Sequence, residues 1–163
     1  MIISDDLKWS KHVEFVIAKA AKRLFALRLL KRAGVMPKDI LKVYLSNVRS
    51  VLEYAAQVWQ DIPAYLSDAI ESIQRRALRI IFPNSSYQQV LELTNLSTLA
   101  NRRILLGKRL MADMKDESHP ISFLTPKVTI RNMPYQIRSG STTAPKTMKT
   151  TKKANDFFTF RFA

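Results

Sequence analysis

The chain has 163 residues, a formal net charge of +14 and no cysteine. The length suits one ordinary domain with its own core, and the missing cysteines exclude a disulfide framework and a thiolate metal site. No apolar run approaches the roughly 20 residues of a membrane span, so we expect no membrane contact. The first residues lack the regions of a secretory signal, so we expect an intracellular protein of the nucleus or cytoplasm.

The basic excess is unevenly distributed along the chain. Residues 1–33 carry eight basic and three acidic residues, residues 34–118 carry eleven and nine, and residues 119–163 carry eight and one. An excess of this size points first to a polyanion partner, of which nucleic acid is the commonest. A solvated basic surface without such a partner is the alternative.

Helical periodicity predicts an all-α fold, a small bundle of four to five helices. The first helix should run from Ser10, a candidate N-cap, to about Ala33, with Gly34 as its stop. A helix that is apolar on two sides is usually covered on both, so we expect a neighbour or partner on each side. One apolar side holds Val13, Val16, Ile17, Ala20, Leu24 and Leu27, and the other holds Phe15, Phe25 and Leu29.

The next two helices should form most of the core. One begins at Pro37, a residue suited to the first helical position, and is predicted to be the central core helix as far as about residue 61. The other spans about residues 67–82, where Glu71 and Arg75 are spaced for an ion pair one turn apart.

Two further helices follow the break at residues 83–86. One is short, from residue 87 to about residue 93, and Ser97 is expected to cap the last one, which runs to about residue 115. Arg103 lies within the apolar stripe of that last helix. We expect it to pair with a carboxylate or with helix-end carbonyls.

From His119 onward the composition changes. Prolines interrupt the chain, and threonine and lysine dominate residues 142–153. We expect a helical domain over residues 1–118 and an extended or disordered basic tail, rich in Pro, Thr and Lys, over residues 119–163. Aromatic side chains at the end of the tail need a surface to cover them: Phe157, Phe158, Phe160 and Phe162.

Asp5 and Asp6 invite comparison with the paired aspartates that hold magnesium in polymerases. Such a site needs carboxylates from separate strands around two ions about 4 Å apart, and no strand precedes Asp5 to supply one. The next acidic residues belong to predicted helices. We therefore expect only a turn that leads into the first helix.

No other set of residues predicts catalysis. His12 and His119 are the only histidines, and no cluster of His, Asp or Glu has metal-ligand spacing. Motifs of the forms GxGxxG, GxxxxGKS/T and GxSxG do not occur. We expect no catalytic residue, metal, cofactor or small-molecule substrate.

The candidate binding residues are therefore basic side chains. They predict salt-dependent contact with a nucleic-acid backbone rather than readout of bases. They belong to the first and third predicted helices: Lys19, Lys22, Arg23, Arg28, Lys31, Arg32, Arg75, Arg76 and Arg79. Trp9, Tyr54 and Trp59 could stack on bases, although core packing is their expected role. Tail lysines are spaced like a flexible arm that would release counterions: Lys146, Lys149, Lys152 and Lys153.

Three linked segments read YLSNVRSVLEYAAQVWQ (44–60), AIESIQRRALRII (69–81) and YQQVLELTNLSTLANRR (87–103). Together they resemble the region downstream of the catalytic palm in reverse transcriptases of non-long-terminal-repeat retrotransposons. The opening IISDDLKWSKH is similar to a strand-turn of that family that leads into a helix, with the aspartate at Asp5 or Asp6 and with Leu7, Trp9 and His12 in place. The tail TTKKANDFFTFRFA resembles a later stretch of the family, without the terminal Trp-Asn element that follows it there.

The resemblance implies a helical thumb and its extension, which in that family pack beside the template–primer duplex and help to hold it. The fingers, the palm with its metal-binding aspartates and the endonuclease of the family would lie before Met1. We therefore expect a non-catalytic module that binds RNA–DNA or other duplex through basic helix faces. Two alternatives remain open. One is a helical interaction module that docks on a polymerase palm in trans or on another protein through Phe15, Phe25 and Leu29. The other is a transposon relic without function.

Overall fold

The computed structural model describes residues 1–5, 8–116 and 118–124. It divides into two compact units, residues 1–107 and residues 108–163. A π-helical segment lies at Tyr44–Arg49, and a short 3-10 helix lies at Ser122–Leu124. The described residues hold no strand, so the predicted all-α class is confirmed. The α-helices are α1 (Ser10–Arg32), α2 (Pro37–Val43), α3 (Ser50–Glu53), α4 (Ala64–Ile81), α5 (Tyr87–Thr94) and α6 (Leu99–Asp113).

α1 ends as its sequence predicts. Gly34 has a φ of +76°, and the Gly34 and Val35 amides donate to the carbonyls of Lys31 and Leu30 at 3.2 and 3.1 Å. This pair of bonds is a Schellman motif, which satisfies carbonyls that the last helical turn leaves open. The start of α1 differs from the prediction. The N-cap is Trp9, whose carbonyl accepts the Val13 amide at 2.9 Å, and Ser10 is the first helical residue.

One face of α1 packs into the core of unit 1, chiefly against α4. The predicted stripe is buried apart from Ile17, which is half-buried. The opposite side is open: Phe15, Phe25 and Leu29 are 51%, 64% and 56% exposed. Within the part of the chain that the structure describes, α1 is therefore covered on one side only.

The second predicted helix ends eight residues before the expected position. It is continuous from Pro37 through the π-helical segment to Glu53, after which Tyr54 is extended and Ala55 has a φ of +52°. The turn that follows buries the Trp59 side chain completely, and its indole N–H donates to the Tyr54 carbonyl at 3.0 Å. Burial of this large ring in the core outweighs the cost of a left-handed alanine.

α4 and α5 lie close to their predicted positions. α4 begins three residues early, immediately after Pro63, and α5 begins at Tyr87. Ser86 caps α5 through a capping box: its hydroxyl accepts from the Gln89 amide at 3.4 Å, and the Gln89 side chain accepts from the Ser86 amide at 3.0 Å. This rigid start of α5 forms one side of the candidate site.

A buried polar network links α4 to its neighbours. Gln74, with no exposed surface, accepts from the Tyr44 hydroxyl at 2.7 Å and donates to the Tyr87 hydroxyl at 2.9 Å. Its amide also donates to the Ser97 carbonyl at 3.3 Å, in the loop before α6. Because each buried polar atom here has partners, the network fixes the positions of α4 and α5 instead of destabilising the core.

Glu71 belongs to the same network and caps α6. Its carboxylate accepts from the Tyr87 hydroxyl and, at 2.9 Å, from the Leu99 amide at the first residue of that helix. Thr98, rather than the expected Ser97, supplies the hydroxyl that accepts the Asn101 amide at 3.2 Å. Glu71 therefore faces inward, and the ion pair predicted one turn along α4 is not formed among the described residues.

In unit 2, the described residues comprise the end of α6 and the short 3-10 helix. The Ser118 amide donates to the Asp116 carboxylate at 3.0 Å, a bond that lowers the pKa of that carboxyl. The predicted tail from His119 thus includes the helical turn Ser122–Leu124. The remaining tail predictions, including the four lysines and the four phenylalanines, lie outside the described residues, as does Asp6.

Candidate nucleic-acid interface

The outer face of α4 and the start of α5 border one cavity of about 300 Å³. Arg75, Arg76 and Arg79 line it from α4, and all three side chains are exposed. No acidic residue belongs to the lining. The remaining lining residues are Leu78, Ser85, Ser86, Tyr87 and Val90. This set, named here the arginine pocket, therefore combines three arginine side chains and three hydroxyl-bearing side chains with the apolar Leu78 and Val90.

The spacing of α4 explains why the three arginines share one face. Arg75 and Arg79 are one helical turn apart, and Arg76 lies beside them, opposite the buried stripe that contains Ile70, Ile73 and Ala77. Because that stripe is held in the core, the arginines must point outward. The fold thus brings together the three basic residues predicted from the third helix.

Tyr87 is the best-anchored part of the arginine pocket. Its hydroxyl donates to Glu71 and accepts from Gln74, and the Arg75 guanidinium lies over its ring at 5.4 Å from the centroid. Burial, together with the Glu71 hydrogen bond, raises the pKa of the Tyr87 hydroxyl above its ordinary value, so the ring stays neutral. A cation held over an aromatic face loses less freedom when it binds an anion.

The basic residues of α1 divide into two kinds. Arg23 donates to the Asn47 carbonyl in the π-helical segment, and Lys31 donates to the Ile81 carbonyl at 3.1 Å. Both side chains are half-buried, and each satisfies a backbone acceptor. Four others are exposed: Lys19, Lys22, Arg28 and Arg32. The predicted α1 group is therefore only partly a free cationic surface.

The Lys31 bond also places the C-terminal end of α1 beside that of α4. Ile81 is the last residue of α4, and Lys31 is the penultimate residue of α1. A cation at a helix C-terminus interacts favourably with the helix dipole. The exposed Arg28 and Arg32 consequently lie at the end of unit 1 that also carries Arg79.

Arg103 is buried without the expected pairing. It donates to the Ser67 hydroxyl and lies 6.0 Å from the Trp59 ring centroid, and no ion pair or helix-end carbonyl is its partner among the described residues. Burial lowers the pKa of its guanidinium. The same contacts settle the role of Trp59, which is a core residue and not a base-stacking platform; Tyr54, by contrast, is 67% exposed.

A second pair of arginines, Arg49 and Arg102, shares the carboxylate of Glu53. Glu53 accepts from Arg49 at 2.7 Å and from Arg102 through two bonds at 2.8 and 3.1 Å. The hydrogen bond to Glu53 raises the pKa of Arg102. These cations stabilise the end of the α2–α3 stretch, and they contrast with the arginine pocket, where no carboxylate competes for the guanidinium groups.

The described residues contain no group of three or more His, Cys, Asp or Glu side chains placed to hold a metal ion. Asp5 is exposed in a turn ahead of α1. Among the helices of the described residues, none combines the length and apolar character required to cross a membrane.

Comparison with known proteins gave no match: no family model, no curated protein and no solved structure is detectably similar to the chain. The sequence predicted the arginines of the candidate site but not Ser85, Ser86 and Tyr87, which border it. The signal that could have found them is the helix break followed by a capping serine, which puts the start of α5 beside the end of α4.

Proposed function

We propose that the chain is a non-catalytic nucleic-acid-binding module of the nucleus or cytoplasm. In this proposal it resembles the thumb region of non-long-terminal-repeat retrotransposon reverse transcriptases and holds an RNA–DNA or other duplex by its backbone. The arginine pocket supplies the main contact, and Arg28, Arg32, Lys19 and Lys22 extend it along α1. Arg23 and Lys31 contribute mainly by positioning α1.

The observation that carries this proposal is the arginine pocket itself. Three guanidinium groups with no acidic partner in the described residues border one concave surface, while Arg49 and Arg102 share a carboxylate. Guanidinium groups pair with phosphate oxygens through two parallel hydrogen bonds, which makes Arg the preferred residue for this contact. Backbone contacts of this kind give affinity without sequence information.

The test is fluorescence anisotropy of a labelled RNA–DNA primer–template duplex across a salt series. The binding constant should fall steeply as salt rises. A triple variant, Arg75→Gln, Arg76→Gln and Arg79→Gln, should bind more weakly, and the slope of log K against log salt should become shallower by about 2 to 3. The reason is that fewer counterions are released when three phosphates lose their partners.

A matched control removes the same charge elsewhere. Lys38, Lys42 and Lys108 are exposed and lie outside the arginine pocket, and Lys42 pairs with Asp39 at 2.9 Å. Changing these three residues to Gln should alter the slope far less. If both triple variants weaken binding equally, net charge alone explains the affinity and the pocket has no special role. If the folded wild-type chain does not bind at low salt, the nucleic-acid proposal fails.

We further propose that the chain performs no chemistry of its own. Of the aspartate pair near the start, Asp5 lies among the described residues, where it is exposed in a turn. Purified protein should therefore not extend a primer in the presence of magnesium. Extension above the background of a mock purification would overturn this proposal.

The exposed apolar side of α1 favours a second candidate function, docking on a polymerase palm supplied in trans. Phe15, Phe25 and Leu29 are each more than half exposed, an unusual cost for a helix in water. The test is capture of a palm-bearing polymerase by the purified chain. This candidate predicts that Phe25→Ser abolishes capture, whereas changing Lys19, Lys22 and Arg23 to Ala leaves it intact. Capture that depends on the three basic residues instead would contradict docking through the apolar side and favour contact through bound nucleic acid.

A further inference from the structure

The arginine pocket gathers three exposed arginine side chains around one cavity. Leu78 and Val90 lie in its lining and are each 1% exposed, so the floor of the cavity is apolar. Its volume of about 300 Å³ lies at the lower end of the range for small-ligand sites. Such a cavity accommodates a single nucleotide unit.

The charge of the pocket matches a terminal phosphate better than an internal one. An internal phosphodiester carries one negative charge, whereas a phosphomonoester carries about −1.5 to −2 at neutral pH and offers three acceptor oxygens. Three guanidinium groups border this one cavity. A group with three acceptor oxygens and nearly two charges can offer a separate oxygen to each guanidinium, whereas an internal phosphate offers only two free oxygens and one charge.

Two features hold the pocket ready for such a group. Tyr87 is fixed by Glu71 and Gln74 and carries Arg75 over its ring, so one guanidinium is oriented before any ligand arrives. The pocket also opens at the start of α5, where the helix dipole favours negative charge. The dipole at the start of α5 adds to the positive potential of the three arginines, which remain the main anion-binding groups.

We propose that the arginine pocket receives the terminal phosphomonoester of a nucleic-acid strand, so that the chain binds strand ends in preference to uninterrupted backbone. The inference rests on the proposed function, because it names the part of the nucleic acid that occupies the same site. Free nucleoside monophosphates share this chemistry. A strand end should bind more tightly than a free nucleoside monophosphate, because only the longer ligand can also contact the exposed cations of α1.

The test compares otherwise identical labelled oligonucleotide duplexes that carry a 5′-phosphate, a 3′-phosphate or only hydroxyl ends. One phosphorylated form should bind roughly tenfold more tightly than the hydroxyl form, the factor expected from one added charge-assisted hydrogen bond. The preference should shrink below about pH 6, where the monoester loses its second charge. Adenosine monophosphate should compete only at far higher concentration than the phosphorylated duplex.

Two variants make the result specific. Arg79→Gln should remove most of the preference for the phosphorylated end, whereas Arg32→Gln on α1 should weaken all duplexes alike and leave their ratio unchanged. Equal, salt-sensitive binding of all three duplexes would overturn the inference while leaving the proposed function intact. Absence of binding to any duplex would overturn both, and adenosine monophosphate binding as tightly as the phosphorylated duplex would make the site one for free nucleotides.

Discussion

Glu71 and Gln74 are the two residues on which the buried polar network of α4 centres, and Glu71 is the one that caps α6. Its carboxylate accepts from Tyr87 and from the Leu99 amide, and Gln74 lies 3.4 Å away. It therefore joins α4, α5 and the start of α6 while only 6% of its surface is exposed. Sequence spacing could not reveal this role, because an acidic residue one turn before an arginine is ordinarily read as half of a surface ion pair.

Glu71→Gln should lower the free energy of unfolding by about 1 to 3 kcal/mol. The amide that replaces one carboxylate oxygen is a donor, so it cannot accept both the tyrosine hydroxyl and the Leu99 amide. Urea denaturation followed by circular dichroism would measure the change. Glu92→Gln, at an exposed position of α5, should stay within about 0.5 kcal/mol of the wild type. A similar loss in both variants would contradict the capping role of Glu71.

His12 gives a second prediction at the residue scale. It is 3% exposed, packs against Trp9 and Trp59, and accepts the Ile2 amide at Nδ1 over 3.2 Å. Burial lowers the pKa of His12 below its ordinary value of 6.5. As the pH falls, the ring is therefore protonated at a higher pH in the unfolded chain than in the folded protein. The contribution of His12 to the free energy of unfolding should therefore be constant above about pH 6.5 and fall as the pH drops below it.

The variant His12→Asn separates this effect from other titrations. The asparagine carbonyl can still accept the Ile2 amide, but the side chain does not titrate. Thermal unfolding between about pH 7.5 and about pH 5.5 should show a shallower pH dependence in the variant than in the wild type. An unchanged dependence would assign the effect to other groups.

At the scale of the elements, the predicted helices agree with the structure where local signals determine them. Gly34 ends α1, a proline begins α2, and the break at residues 83–86 separates α4 from α5. The early end of α3 was missed because residues 54–60 keep an apolar, helix-compatible pattern. The chain turns there because the turn buries Trp59 in the core. That burial depends on contacts between distant parts of the chain, which the local spacing of apolar residues does not reveal.

Gly34→Ala tests the helix stop in isolation. A methyl group at this position would meet no atom within 4 Å, so any cost arises from the left-handed backbone and not from a clash. The substitution should lower the free energy of unfolding by about 1 kcal/mol. Gly34→Asn should cost less, because asparagine tolerates this conformation better. Equal losses in the two variants would point to a role for Gly34 beyond its φ angle.

At the scale of the whole molecule, charge is the property that separates the two candidate functions. The chain has 27 basic and 13 acidic residues, yet several arginines are already committed to Glu53, to Ser67 or to backbone carbonyls. The composition could predict a polyanion partner, but it could not tell committed cations from available ones. The fold makes that distinction for the predicted binding residues, of which the arginine pocket and the exposed cations of α1 remain available.

If these available cations contact only phosphates, affinity should depend on salt and very little on sequence. Two duplexes of equal length and end chemistry but unrelated sequence should then bind within about threefold of each other, because phosphate contacts carry no direct base information. Competition anisotropy at one fixed salt concentration would measure the ratio. A preference of a hundredfold or more would require contacts with base edges, each worth about 1 to 3 kcal/mol. The guanidinium groups of the arginine pocket are gathered around one cavity instead of spread along a groove. They are therefore not arranged to contact the edges of several bases at once. A large sequence preference would place the principal binding surface elsewhere on the chain.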